Sequence, residues 1–244
     1  MRGALIAVLL VGCGRLGFEH VGPTTTSDAA GSSDGTTPDA ASTAAMVVQG
    51  TALPLTMGMS AAVPIAKTTA GDLVVVGVTQ ETNTTAIVSQ ITDDAGNTYV
   101  SANQRSVDTS CNNTAEIWYA AAVHADASSI TVTMSASVTI EVWALELAGP
   151  GPNPVDTGAV ASTQPSGATI PAPTVVVSSA GEAVISTAAT CGAISQLKAG
   201  SPFTALAIEN GENTAYYITP APGSYGAVWS YGGGSWNAST VAFK

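Results

Sequence analysis

From residue 46 onward the chain is written in apolar runs of four to eight residues, each broken by Gly, Asn, Asp, Pro or Ser. That punctuation disfavours long helices and selects short strands joined by tight turns. Where a run shows its period, the period is two. Ile130-Thr131-Val132-Thr133-Met134 alternates apolar and polar or hydroxylated side chains, the pattern of a strand with one buried face. Leu73 to Val76 and Val175 to Val177 are continuous apolar runs, which suit central strands covered on both faces. No window keeps an apolar stripe at helical spacing for three turns. Strands are expected over 45–50, 72–80, 86–92, 98–102, 115–123, 129–135 and 138–147. A second set is expected over 174–179, 182–188, 204–208, 214–219, 226–231 and 239–243.

The two sets share an echo. Thr69-Ala70-Gly71-Asp72-Leu73-Val74 returns as Ser179-Ala180-Gly181-Glu182-Ala183-Val184, each reading as a turn that enters a strand. Two similar halves suit an all-β, two-sheet β-sandwich, and a jelly-roll is the form expected, as one domain over residues 46–244. Only 9% of residues are charged, too few for the exposed helix faces of a helical enzyme. The net charge is −11, and the basic residues Arg2, Arg15, Lys67, Arg105, Lys198 and Lys244 stand singly, which argues against a nucleic-acid partner.

The first residues read as an address. Met1-Arg2-Gly3 is a short positive start, followed by an uncharged apolar run over residues 4–11. Such a run falls short of the roughly 20 residues a spanning helix needs, so it reads as the core of a signal peptide. Leu10-Val11-Gly12-Cys13 resembles the lipobox of bacterial lipoproteins. The resemblance implies cleavage after residue 12, lipidation of Cys13 and attachment to a membrane through acyl chains. Gly14 after the cysteine resembles the pattern sorted to the outer membrane of a Gram-negative host. Residues 13–45 then read as the lipidated cysteine and a linker. GPTTTSDAAGSSDGTTPDAASTAA has no aromatic residue and no aliphatic larger than Val. It cannot bury enough surface to offset the entropy of ordering.

Further along, GDLVVVGV, ITDDAGNTY, AEIWYAAAV, ITVTMSASVTIEVWALELAG followed by PVDTGA, and the closing STVAFK resemble a widespread bacterial extracellular β-domain. That resemblance implies a sandwich fold and a surface location. It implies no general activity, because the matching motifs are turns and strands.

Chemistry is sparse. Cys111 and Cys191 are expected to form a disulfide outside the cytosol, and two cysteines alone fall short of a zinc shell. His124 stands in a turn with no nucleophile-elbow motif to serve. Glu141, Glu146 and Glu116 are the carboxylates a glycoside hydrolase would use. Residues 141 and 146 are five apart and so point to opposite faces of a regular strand, and Trp143 stands where the jelly-roll glucanase signature has Asp. Asp93, Asp94 and Asn97 offer oxygen ligands for Ca²⁺ but also compose a tight turn. Tyr225, Trp229, Tyr231 and Trp236 could form a sugar-stacking platform or belong to the core. The expectation is a surface lipoprotein acting as a non-enzymatic binding or structural module, without a cofactor. Its partners would be the membrane through the anchor and a glycan or an envelope protein; the alternative is a surface carbohydrate-active hydrolase.

Overall fold

The computed structural model describes residues 44–163, 167–206 and 212–244. The expected signal peptide, Cys13 and the expected linker as far as residue 43 lie outside the described residues, as do positions 207 and 208 of one expected strand. The first half forms β1 (Met46–Pro64), β2 (Leu73–Glu81), β3 (Val88–Asp93), β4 (Val100–Ser101), β5 (Ser106–Asp108), β6 (Asn113–Ala120) and β7 (Ser129–Ala148). The second half opens with β8 (Val155–Thr163), β9 (Thr169–Pro171), β10 (Val175–Val177), β11 (Ala183–Thr190) and β12 (Ile194–Leu197). It closes with β13 (Thr204–Ala205), β14 (Asn213–Ile218), β15 (Gly223–Tyr225), β16 (Val228–Tyr231) and β17 (Trp236–Phe243). The fold is all-β, as the alternating runs require.

Two large antiparallel sheets carry the structure. Their strand orders are β1-β7-β2-β6-β4 and β8-β17-β11-β14-β13. These are one arrangement built twice, with β1, β2, β4, β6 and β7 answered by β8, β11, β13, β14 and β17. The register agrees residue by residue. Val75 lies between Tyr119 and Leu145, and Ile185 between Tyr216 and Val241. Beyond β4 the Ala102 N–H donates to the Ile117 carbonyl at 2.9 Å, and beyond β13 the Leu206 N–H donates to Thr214 at 2.8 Å. The echoed turns match too. Gly71 and Gly181 take φ of +91° and +86°, a conformation that costs glycine least. Their N–H groups donate to Val123 and Thr219, whose own N–H groups donate back to Asp72 and Glu182.

The two sheets pack face to face within one compact unit. Equivalent residues share the layer between them: Leu73 and Ala183, Val75 and Ile185, Leu145 and Val241, and Leu147 and Phe243 all belong to a single buried cluster. The contacts at the margins are reciprocal. A side chain on Gly50 of β1 would strike Leu206 of the second half, and one on the equivalent Gly158 of β8 would strike Asn103 of the first. Reciprocity of this kind is the mark of a twofold relation, here within one chain. The sandwich is therefore an internal pair, though these pairings do not establish a jelly-roll order.

Each sheet buries its other face as well. The first sheet's outer face packs Val76, Val78, Ile130, Val132 and Ile140 with Val88 and Ile91 of β3. The second sheet's outer face packs under the small β12-β16-β9 sheet and the β10-β15 pair. Of the two readings left open for these rings, platform or core, three of the four residues follow the core. Trp229, Tyr231 and Trp236 are buried in this cluster, because β16 and β17 turn them inward. Trp229 Nε1 donates to Asn213 Oδ1 at 3.3 Å. Tyr225 is half-buried, packs on Tyr217 and donates its hydroxyl to the Ala221 carbonyl at 2.8 Å.

Candidate functional site

The layer between the sheets changes character along its length. At the end holding Leu73 and Ala183 the equivalent positions are apolar in both halves. Toward the other end they diverge: cross-strand register sets Thr79 beside Glu141 and Ala115 in the first half, and Ala189 beside Asn237 in the second, with Glu212 one residue before Asn213, the partner of Ala188. All of these are buried, with Glu141 and Glu212 each 1% exposed. Two glutamates thus enter the layer at positions where the opposite half has asparagine or alanine.

Glu81, at the end of β2, joins them. Burial raises the Glu212 carboxyl well above its ordinary range, and Glu141 and then Glu81 push it further, against a lowering contact from Thr79. Burial also raises Glu81, whose contact with Glu212 lowers it in part. Hydroxyls line the neighbouring positions, where Thr187 Oγ1 and Thr214 Oγ1 bond at 2.9 Å and leave no room for a side chain on Gly77. Asn237 Nδ2 donates to Asn113 Oδ1 at 2.5 Å.

Above this polar end lies a cleft of about 440 Å³, lined by Glu81, Thr82, Asn112, Asn113, Thr190 and the two cysteines. Cys111 and Cys191 form a disulfide across the two halves, with their Cα atoms 5.4 Å apart. Asp108 lies close to both sulfurs, but the sulfurs are spent on each other and cannot serve a metal. Thr82 holds φ at +81° and Asn112 at +56°. A β-branched residue in the left-handed region is strained, and such strain gathers at functional sites.

The carboxylates weighed for hydrolysis do not meet. Register places Glu141 on the inner face of β7 and Glu146, beside Val74, on the outer face. Glu146 Oε1 accepts the Thr69 N–H at 2.7 Å, and Oε2 accepts Gln49 Nε2. It thereby pins the turn before β2 and cannot leave it freely. Glu116 faces outward beside Val78 and accepts Trp118 Nε1 at 3.0 Å. Burial raises its carboxyl, against Trp118 and Arg105.

Asp93, Asp94 and Asn97 form a hydrogen-bonded turn. Asp93 Oδ1 accepts the Ala95 and Asn97 N–H groups at 3.0 Å each, and Oδ2 accepts Asn97 Nδ2 at 2.7 Å and the Tyr99 hydroxyl at 2.9 Å. Burial raises Asp93, but these donors outweigh it and hold the carboxyl below its usual range. Asp94 is held at about 2, first by the Ser128 hydroxyl and then by the Ser128 N–H. The exposed His124 ring sits 3.1 Å from the Ala95 carbonyl in the same neighbourhood.

A second feature lies at the margin of the first sheet. β1 is an edge strand of 19 residues without a single charge. Met57 is 79% exposed, Met46 62% and Met59 55%, with Val48 and Leu55 also open to solvent. Proteins usually guard such an edge with lysines, prolines or bulges. Here Pro54 and three register shifts supply part of that protection.

Sequence reasoning did not find Glu81 and Glu212, nor the exposed edge. The edge had a signal, a long uncharged stretch, of which only 45–50 reads as a strand. The chain matches no known protein-family model, no curated protein and no solved structure.

Proposed function

We propose that this protein is an envelope-displayed, lipid-anchored interaction module that engages an envelope protein through its β1 edge and performs no catalysis. The observation that carries the reading is that edge: a long, uncharged strand that pairs on one side only among the described residues, with its methionines bare. An extended partner segment can add to such an edge through backbone hydrogen bonds, and flexible methionines adapt to varied side chains. The anchor rests on Leu10-Val11-Gly12-Cys13 and the polar linker after it. A linker of that composition holds a domain clear of a bilayer while letting it reach a partner.

Against hydrolysis stand the positions of the acids. Retaining hydrolysis needs two carboxyls about 5 Å apart in one open groove. Glu141 and Glu146 face opposite sides of β7, and Glu116 is tied to Trp118. Glycan binding through aromatic stacking loses its support with Trp229, Tyr231 and Trp236 inside the core.

The test is a photo-reactive residue placed at Met57, and at Lys198 as a control, in cells making the whole chain. The reading expects a discrete light-dependent protein adduct at 57, absent at 198 and abolished by Leu55→Glu. Adducts equal at both positions, or none at 57, contradict it. Mass analysis of the processed chain should find acyl groups on Cys13, and Cys13→Ser should leave the membrane fraction.

A further inference from the structure

We propose that Asp108, Cys111 and Cys191 form a thiol-gated zinc site, closed while the disulfide stands and opened when a dithiol reduces it. Asp108 ends β5 and pairs with Asn113 at the start of β6, so Cys111 lies in the tight turn between them. Cys191 follows β11 and comes from the other half. A carboxylate oxygen of Asp108 and the two sulfurs all lie within 4.8 Å of one another, and no other such trio occurs among the described residues. Two sulfurs alone fall short of a zinc shell, and Asp108 supplies the third ligand.

The state of Asp108 is a separate observation. The residue is 4% exposed, and its Oδ1 accepts the Ser110 N–H at 2.8 Å, whereas Oδ2 is buried and bonds no described residue. A buried carboxylate oxygen without a donor is costly, and a cation held beside the sulfurs satisfies it. The Ser235 hydroxyl stands 2.8 Å from Cys111 Sγ and 3.2 Å from Cys191 Sγ, so one donor reaches both sulfurs and can steady either as a thiolate. Access is present too. Cys191 is exposed and Cys111 half-buried, in the wall of the cleft of about 440 Å³. Exposed disulfides are the ones that thiol exchange reaches. In the opening step a dithiol gives two electrons and two protons to the S–S bond; it leaves as its own disulfide, and Cys111 and Cys191 become thiols. Zn²⁺ then displaces both thiol protons to solvent. Tetrahedral zinc, with Zn–S distances of about 2.3 Å, holds two sulfurs about 3.8 Å apart. Cα atoms 5.4 Å apart allow that separation by side-chain rotation alone. Two thiolates, one carboxylate and a fourth position left to water suit zinc over calcium or magnesium. The ion bridges the two halves in place of the disulfide.

The experiment uses the whole chain carrying Cys13→Ser, which leaves only these two thiols. The chain is reduced with a phosphine or left oxidised, then titrated with ZnCl₂ against a chromophoric chelator, with thermal unfolding alongside. The reduced chain should take up one Zn²⁺ and gain roughly 5–10 °C in melting temperature at about 100-fold excess over Kd, and the oxidised chain should take up none. Co²⁺ in place of zinc should give the near-ultraviolet charge-transfer band of thiolate ligation. Asp108→Asn keeps the side chain's shape and its contact with Ser110; it should still form the disulfide when oxidised but bind Zn²⁺ at least about tenfold more weakly when reduced. Should that variant not fold, Asp108→Ser takes its place. If the reduced chain is unfolded without metal, zinc should refold it, read by tryptophan fluorescence, and failure to do so counts against the site. Equal uptake by the oxidised and reduced chains, no uptake by the reduced chain, or unchanged affinity in the Asp108 variant overturns the proposal.

Discussion

Reducing the Cys111–Cys191 disulfide should cost this protein much of its stability. The bridge closes a loop with a sequence separation of 80 residues and ties the β5–β6 turn of one half to the end of β11 in the other. The loop-closure entropy removed from the unfolded chain by a bridge of that span is worth about 4.5 kcal/mol at 25 °C. For a domain of this size each kcal/mol shifts the melting temperature by about 2–4 °C, so reduction should lower it by roughly 9–18 °C. Domains of this kind hold about 5–15 kcal/mol in total, so the reduced form should still fold, but marginally. Urea unfolding followed by tryptophan fluorescence, with and without dithiothreitol, measures the difference. The double variant Cys111→Ala/Cys191→Ala should reproduce the reduced protein. The denaturant slope should rise on reduction, because the released chain exposes more surface when unfolded. A change below about 1 kcal/mol would refute the reasoning, since the loop-closure entropy for that span predicts several times more.

Other outcomes follow from the same contacts. Trp229→Ala empties the centre of the second outer cluster and removes one donor to Asn213 Oδ1; it should cost about 3–5 kcal/mol in denaturant unfolding, and a cost under 1 kcal/mol would place the ring outside the core. Stability should fall as pH rises above the ordinary glutamate range. The reason is that the folded state holds the proton on Glu212 more tightly than the unfolded chain does, so the protonated form's advantage is lost through the raised folded value. Glu212→Gln should flatten that pH dependence, and a slope unchanged by the substitution would acquit this residue. Asp93→Ala removes an acceptor of four hydrogen bonds and should cost about 2–3 kcal/mol by thermal unfolding, most of it gone below the depressed folded value, where the carboxyl is protonated in both states.

How much of this was written in the sequence depends on the range of the interaction. The alternation in Ile130 to Met134 and the turn at Gly71 announced β7 and β2, because side-chain period and positive φ are local properties. The echoed turn at Gly181 suggested two similar halves, but its shortness left the duplication to the register of the two sheets. β8 was missed because VDTGAVAST has few bulky side chains, and its strand character comes from pairing with β17. β1 was expected only to residue 50, whereas it runs on through Pro54, which falls at a register shift that tolerates it. Parity correctly placed Trp229 and Tyr231 on one face of β16, but only the covering sheet decides which face is wet. The opposite placement of Glu141 and Glu146 was likewise legible from strand period. The meeting of Glu81, Glu141 and Glu212 was not, since it depends on how two sheets from distant segments stack.

Hydrogen exchange over residues 46–64 tests the interaction role most directly. In the isolated protein the β1 amides that point away from β7 should exchange fast, as unpaired edge groups do. In the complex captured at Met57 those same amides should become protected while the rest of the sandwich keeps its rates. Unchanged exchange along β1 with protection appearing elsewhere would contradict the account.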